Sequence, residues 1–194
     1  MLTDTAIWND FRNCKDYALS YIYCRQVEQL YRYGRKFTQD EALIKDTIQE
    51  VFYHLIRNRS TLGETDHISY YLMTAFRHRM IRSLQKEKHF EPSDEVDDQY
   101  ELSITYSYED ELIGKEIESK RAQTIRKVLG GISPKQREIL YYRYTCDYDY
   151  AQICKLMSIK YDSARKMVFR ALQSLREQLD HSNLILLSLF QKKF

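Results

Sequence analysis

Proline and glycine are scarce, with two of the first and five of the second in 194 residues. Both interrupt helices, so their rarity predicts long unbroken ones and an all-α fold. Cysteine is nearly as rare. Cys14, Cys24, Cys146 and Cys154 form no C-x-x-C pair, which speaks against a zinc site or disulfide framework and fits a reducing cytoplasm. No apolar run approaches the ~20 residues that cross a bilayer, so no membrane span is expected. The opening MLTDTAIWNDF has no basic stretch before an apolar block, and no secretory signal is expected. The five histidines are scattered, without a P-loop, a nucleophile elbow or metal-like spacing. Neither catalysis nor a bound metal or cofactor is therefore expected.

What is present is charge, unevenly distributed. Residues 1–86 hold 13 Lys+Arg against 10 Asp+Glu, residues 87–119 hold 2 against 12, and residues 120–194 hold 15 against 6. The formal net charge of +2 thus conceals successive blocks of +3, −10 and +9. A basic block beyond an acidic one suggests nucleic-acid binding steered by phosphate charge. Two solvated faces that happen to segregate would look the same.

The first block reads as three or more helices. Ile44, Ile48, Val51, Phe52 and Leu55 make one apolar stripe, while Asp46, Gln49 and Glu50 fall on a different face. A loop is expected from Asn58 to Ser69, around Ser60, Gly63 and Asp66. A helix from about Tyr70 to Lys86 follows, with Leu72, Ala75, Phe76, Met80 and Leu84 expected inside. Tyr70 and Tyr71 open it, and Arg77, His78, Arg82 and Lys86 are expected outside.

Residues 88–108 hold an acid run and a proline without helical period, marking a linker and domain boundary. The expected organisation is two small helical domains, 1–88 and 116–181, joined by an acidic linker 89–115 and followed by an apolar tail 182–194. Helical text resumes near Glu109 and stops at Gly130-Gly131. Ser133-Pro134-Lys135-Gln136 then supplies a Ser cap, Pro at the first helical position and Gln three residues after the cap. That is a capping box, and its helix should run to about Tyr144.

The strongest local pattern occupies residues 147–179. Asp149 can cap a short helix with Ile153, Leu156 and Met157 inside. A tight turn at Ser158-Ile159-Lys160 leads to a helix with Ala164, Met167, Val168, Ala171, Leu172, Leu175 and Leu179 on one stripe. Two helices on so short a turn, the second longer and basic, describe a helix-turn-helix. Its second helix would bring Tyr161, Ser163 and Lys166 near base edges, and Arg165 and Arg170 to phosphates. An ordinary helical hairpin has the same pattern.

At this point the chain resembles the extracytoplasmic-function sigma factors, the smallest class of bacterial sigma factor, over roughly residues 8–88 and 110–180. LGGISPKQREILYYRY and the following YAQICKLMSIKYDSARKMVFRALQSLRE look like the family's region four. Asp46-x-x-Gln49-Glu50-x-Phe52 is similar to the region-two motif DxxQExF, and Tyr71-Leu72-x-x-x-x-Arg77-x-Arg79-x-Ile81 resembles the promoter-reading helix after it.

The resemblance implies a transcription-initiation role. Asp46, Gln49 and Glu50 would dock on the clamp coiled coil of core RNA polymerase. Tyr70, Tyr71, Arg77, His78 and Arg82 would grip the melted minus-ten element of promoter DNA, with Asn58 to Asp66 forming a base pocket. Stacking on aromatic or cationic groups can return about 1–3 kcal/mol to an unstacked base, and Arg77 and Arg82 are preferred here over either tyrosine. Tyr161, Ser163, Arg165, Lys166 and Arg170 would read the minus-thirty-five element as duplex. The linker would follow the RNA-exit path, and a plain solvated tether is equally compatible with its composition.

The chain departs from the family pattern at four places. Ser158 stands where Gly is usual, Lys160 where Ser or Thr would cap the recognition helix, Cys154 for a small Ala, and Arg82 at a position often acidic. The tail around Leu184–Phe190 is apolar, and either folds on the second domain or binds a partner such as an anti-sigma factor. Rival readings are a stand-alone helix-turn-helix regulator, which has no need of the Asp46-Gln49-Glu50 motif, and an all-helical adaptor for protein alone, which the +9 block disfavours.

Overall fold

A computed structural model describes residues 3–88 and 127–178. The expected linker, the helical text from Glu109 as far as residue 126, Leu179 and the apolar tail lie outside the described residues. Those described are helical, without a strand, and fall into two compact units, within Met1–Tyr100 and Glu101–Phe194.

Among the described residues the first unit contains four helices, α1 (Asp4–Arg12), α2 (Asp16–Gly34), α3 (Glu41–Arg57) and α4 (Ile68–Lys88). Thr3 caps α1 by accepting from the Ala6 amide, and Asp40 caps α3 by accepting from Leu43. Each cap satisfies an N–H that the first turn leaves without an intrahelical partner. Every residue of the expected α3 stripe is buried, from Ile44 to Leu55. α2 ends at Gly34, where an added Cβ would lie 2.7 Å from the Ile44 side chain. Only glycine lets α2 and α3 approach this closely.

The inward face of α4 is broader than one stripe. Leu72, Phe76 and Met80 are buried as expected, but so are Met73, Ile81 and Arg77, while Ala75 and Leu84 are half-buried. The expectation that Arg77 faces outward is therefore corrected. α4 packs against both α2 and α3, so two neighbours cover a wider arc than one would. Arg77, one turn from Met73 and from Ile81, falls inside that arc.

In the second unit, residues 127–130 are helical and lead through a turn to α5 (Pro134–Leu140), α6 (Tyr150–Met157) and α7 (Tyr161–Gln178). The Ser133–Gln136 capping box forms in full, with Pro134 at the start. After Leu140 the helix does not continue as an α-helix to Tyr144. Residues Tyr141–Thr145 widen into a π-helical turn, a geometry that inserts one residue without breaking the helix. The widened turn coincides with internal polar bonds: the buried Tyr142 hydroxyl donates to Glu138 at 2.7 Å, and its ring stacks on Tyr148. Arg143 donates to the Tyr148 carbonyl at 3.0 Å, holding the chain that turns towards α6.

Candidate polymerase and nucleic-acid surfaces

On α3, Asp46, Gln49 and Glu50 are all exposed, opposite the buried stripe. Spacings of three and four residues put them on one patch. Glu50 reaches across to α4, where Arg79 lies 3.6 Å away. Two further residues share the patch and escaped the sequence reading. Tyr53 is 60% exposed and Ile56 40%. Tyr53 follows Gln49 and Glu50 by one turn, so its position could have been read from spacing. Its exposure could not, in a chain with 17 tyrosines.

The second surface of this unit is α4 with the loop before it. The structure ends α3 at Arg57 and starts α4 at Ile68, two residues earlier than expected. Arg82 and His78 are exposed, whereas Tyr70 and Tyr71 are half-buried. Tyr71 packs on Trp8 with ring centroids 4.9 Å apart, and burial pushes its hydroxyl pKa up, slightly opposed by Arg79. The five candidates therefore divide. His78 and Arg82 are exposed, the tyrosines offer one side, and Arg77 is enclosed.

The loop 58–67 is built locally and pinned from a distance. Thr61 donates through both its amide and its hydroxyl to the Asn58 carbonyl, and the His67 amide donates to Thr65. Two distant anchors come from α1. The Trp8 indole N–H donates to the Gly63 carbonyl at 2.8 Å, and Asp4 accepts from the Ile68 amide at 2.9 Å.

In the second unit, α6, the turn 158–160 and α7 form the expected helix-turn-helix. Asp149 and Gln152 make a reciprocal capping box, and Ile153, Leu156 and Met157 are buried. Ser158 closes α6 in the left-handed conformation, φ 54° and ψ 42°. That is the conformation glycine adopts most readily, which gives the departure at this position a physical meaning. Lys160 offers no side-chain cap for α7, yet its carbonyl accepts the Ala164 amide at 3.0 Å and Asp162 brings negative charge to the first turn.

Ala164, Val168, Ala171 and Leu175 bury one side of α7; Met167 and Leu172 are half-buried beside them. Tyr161, Ser163, Arg165, Lys166 and Arg170 are all exposed. Their spacing sorts them into two strips. Ser163, Lys166 and Arg170 follow one another at three and four residues, and Tyr161 and Arg165 make a second strip that continues to Phe169. Phe169 is 68% exposed, and the sequence reading did not single it out. Tyr161 leans on Tyr150 of α6, edge to face.

Among the described residues, no cluster of three or more His, Cys, Asp or Glu side chains is placed to hold a metal ion, and no helix is long and apolar enough to cross a membrane.

Comparison with known proteins matches the two units to two regions of one family. Residues 22–90 match Sigma-70 region 2, and residues 122–175 match Sigma-70, region 4. No curated protein matches the sequence. Among solved structures, CnrH in complex with the cytosolic domain of CnrY is similar in fold, with a TM-score of 0.58 at 13% identity over 90% of this chain and 95% of that one. The RsbN–BldN complex aligns at 15% identity over 89% of this chain and 99% of that one, with a TM-score of 0.35. The second value is too low to bear on the fold. With two regions of one family matched in order over more than half its length, this chain belongs to the sigma-70 family of RNA polymerase sigma factors.

Proposed function

We propose that the protein is a sigma factor of the extracytoplasmic-function type that binds core RNA polymerase and directs promoter recognition and transcription initiation in the cytoplasm. The outer face of α3, with Asp46, Gln49 and Glu50, docks on the polymerase. The loop 58–67 and α4 grip the melted minus-ten strand through Arg82 and His78, with the accessible sides of Tyr70 and Tyr71. Arg77 supports α4 from within. α7 reads the minus-thirty-five duplex, using Tyr161, Ser163 and Lys166 towards bases and Arg165 and Arg170 towards phosphates.

The observation that carries this reading is the pair of regions in series, one presenting an exposed carboxylate-rich patch and the other an exposed basic helix. The work asked of the protein is binding: strand separation is driven by contacts to bases outside the duplex, with no covalent step. An anti-sigma factor is a further partner on the likeness to CnrH, whose structure is that of a complex with the cytosolic domain of CnrY.

In vitro transcription with core polymerase and a promoter library tests the proposal. Core supplemented with this protein should select promoters sharing two short elements at a fixed spacing. Failure to associate with core polymerase would end it, whatever the affinity for DNA.

A further inference from the structure

α1 lies ahead of the residues that match region 2, and the function proposed above gives it no task. It nevertheless supplies two distant anchors of the loop 58–67. Trp8 is 1% exposed, with its indole N–H aimed at the Gly63 carbonyl near the middle of the loop, 2.8 Å away. Asp4, one turn earlier, accepts the Ile68 amide at 2.9 Å and so fixes the point where the loop enters α4. The Trp8 ring also packs on Tyr71 of α4. One side chain thus touches the loop by a hydrogen bond and the promoter helix by ring contact.

A loop whose ends alone are held samples many shapes, and ordering it on binding subtracts from affinity. Pinning the middle divides it into two short spans, and pinning the exit sets their register against α4. We propose that Trp8 and Asp4 are positioning residues for single-strand recognition. They hold the loop 58–67 in the shape that accepts an unstacked base, and so determine base preference without touching DNA. This rests on the reading of that loop and α4 as the minus-ten site.

The test uses the full chain bound to core polymerase and a randomised single-stranded DNA oligonucleotide pool. Trp8→Phe keeps an aromatic ring in the core and removes the donor together with part of the indole's buried volume, a loss of packing that the Asp4 variants do not share. It should still bind core polymerase, melt within a few degrees of wild type and retain the same salt-dependent hold on duplex DNA. Affinity for the strand that wild type selects should fall about threefold to tenfold, the worth of one net hydrogen bond, with preference flattened at one or more positions. Asp4→Ala should do the same, and Asp4→Asn, which keeps an acceptor oxygen, should restore the wild-type preference. If Trp8→Phe fails to fold, the two Asp4 variants decide. Unchanged preference and affinity in Trp8→Phe and Asp4→Ala overturn the positioning role while leaving the proposed function intact. A wild-type holoenzyme that selects no strand overturns both.

Discussion

Glu50 of α3 and Arg79 of α4 lie 3.6 Å apart, with the carboxylate 60% exposed and the guanidinium 27%. One member of the proposed polymerase-docking trio is thus tied to the helix proposed to grip melted DNA. An ion pair this open to water stabilises the fold by at most about 1 kcal/mol. Its importance is positional: it orients Glu50 while leaving an oxygen available to a partner.

Reversing charge at Asp46 and Glu50 together, as Asp46→Lys with Glu50→Lys, should weaken core-polymerase association by about tenfold or more, since like charges brought together at an interface are costly. Both side chains are exposed, so the thermal midpoint should move little. Co-purification and a melting curve check both halves, and undiminished association would remove α3 from the interface.

Arg77 and Arg82 should behave as opposites. Arg77 is 7% exposed, and Arg77→Ala removes a large enclosed side chain, costing about 1–3 kcal/mol of stability. Arg82→Ala should change stability by less than about 0.5 kcal/mol and lower affinity for a single strand. Denaturant titration and strand binding separate the two. Equal stability losses would contradict the assignment.

Arg165→Ala with Arg170→Ala should weaken duplex binding on every sequence, because both cations sit on exposed α7. Two lost phosphate contacts should reduce the slope of log affinity against log salt by about 1.8. A salt titration reads this directly.

Ser158→Gly should stabilise the second unit by about 0.5–1 kcal/mol, because a left-handed φ of 54° strains a residue with a Cβ and not glycine. A raised melting midpoint with unaltered duplex binding is the expected result.

Asp10 links α1 to the start of α2, accepting from Lys15 at 2.7 Å and from the Tyr17 hydroxyl. These bonds, that of Lys15 first, hold its pKa below the ordinary 3.8. A lowered acid contributes stability above its unfolded value, and that contribution is lost as pH falls through the folded one. Asp10→Asn should therefore melt slightly lower than wild type at neutral pH, with the gap closing in acid below 3.8. A gap constant with pH would show that the carboxylate charge is not involved.

The local features were legible in the residues because they depend on neighbours three or four positions away. The α3 stripe, the Ser133–Gln136 capping box, the Asp149 cap and the helix-turn-helix with its short turn are of this kind, and so is the grouping of Asp46, Gln49 and Glu50. Only the tertiary structure decided what depends on other elements. Arg77 is enclosed because two helices cover α4, and one periodic stripe cannot announce a second neighbour. Trp8 reaches Gly63 across 55 positions of sequence, a pairing that no local period encodes. Ser158 names a turn in either reading, but its left-handed backbone, closed by the Ser158 and Ile159 amides donating to the Cys154 carbonyl, is seen only in the structure.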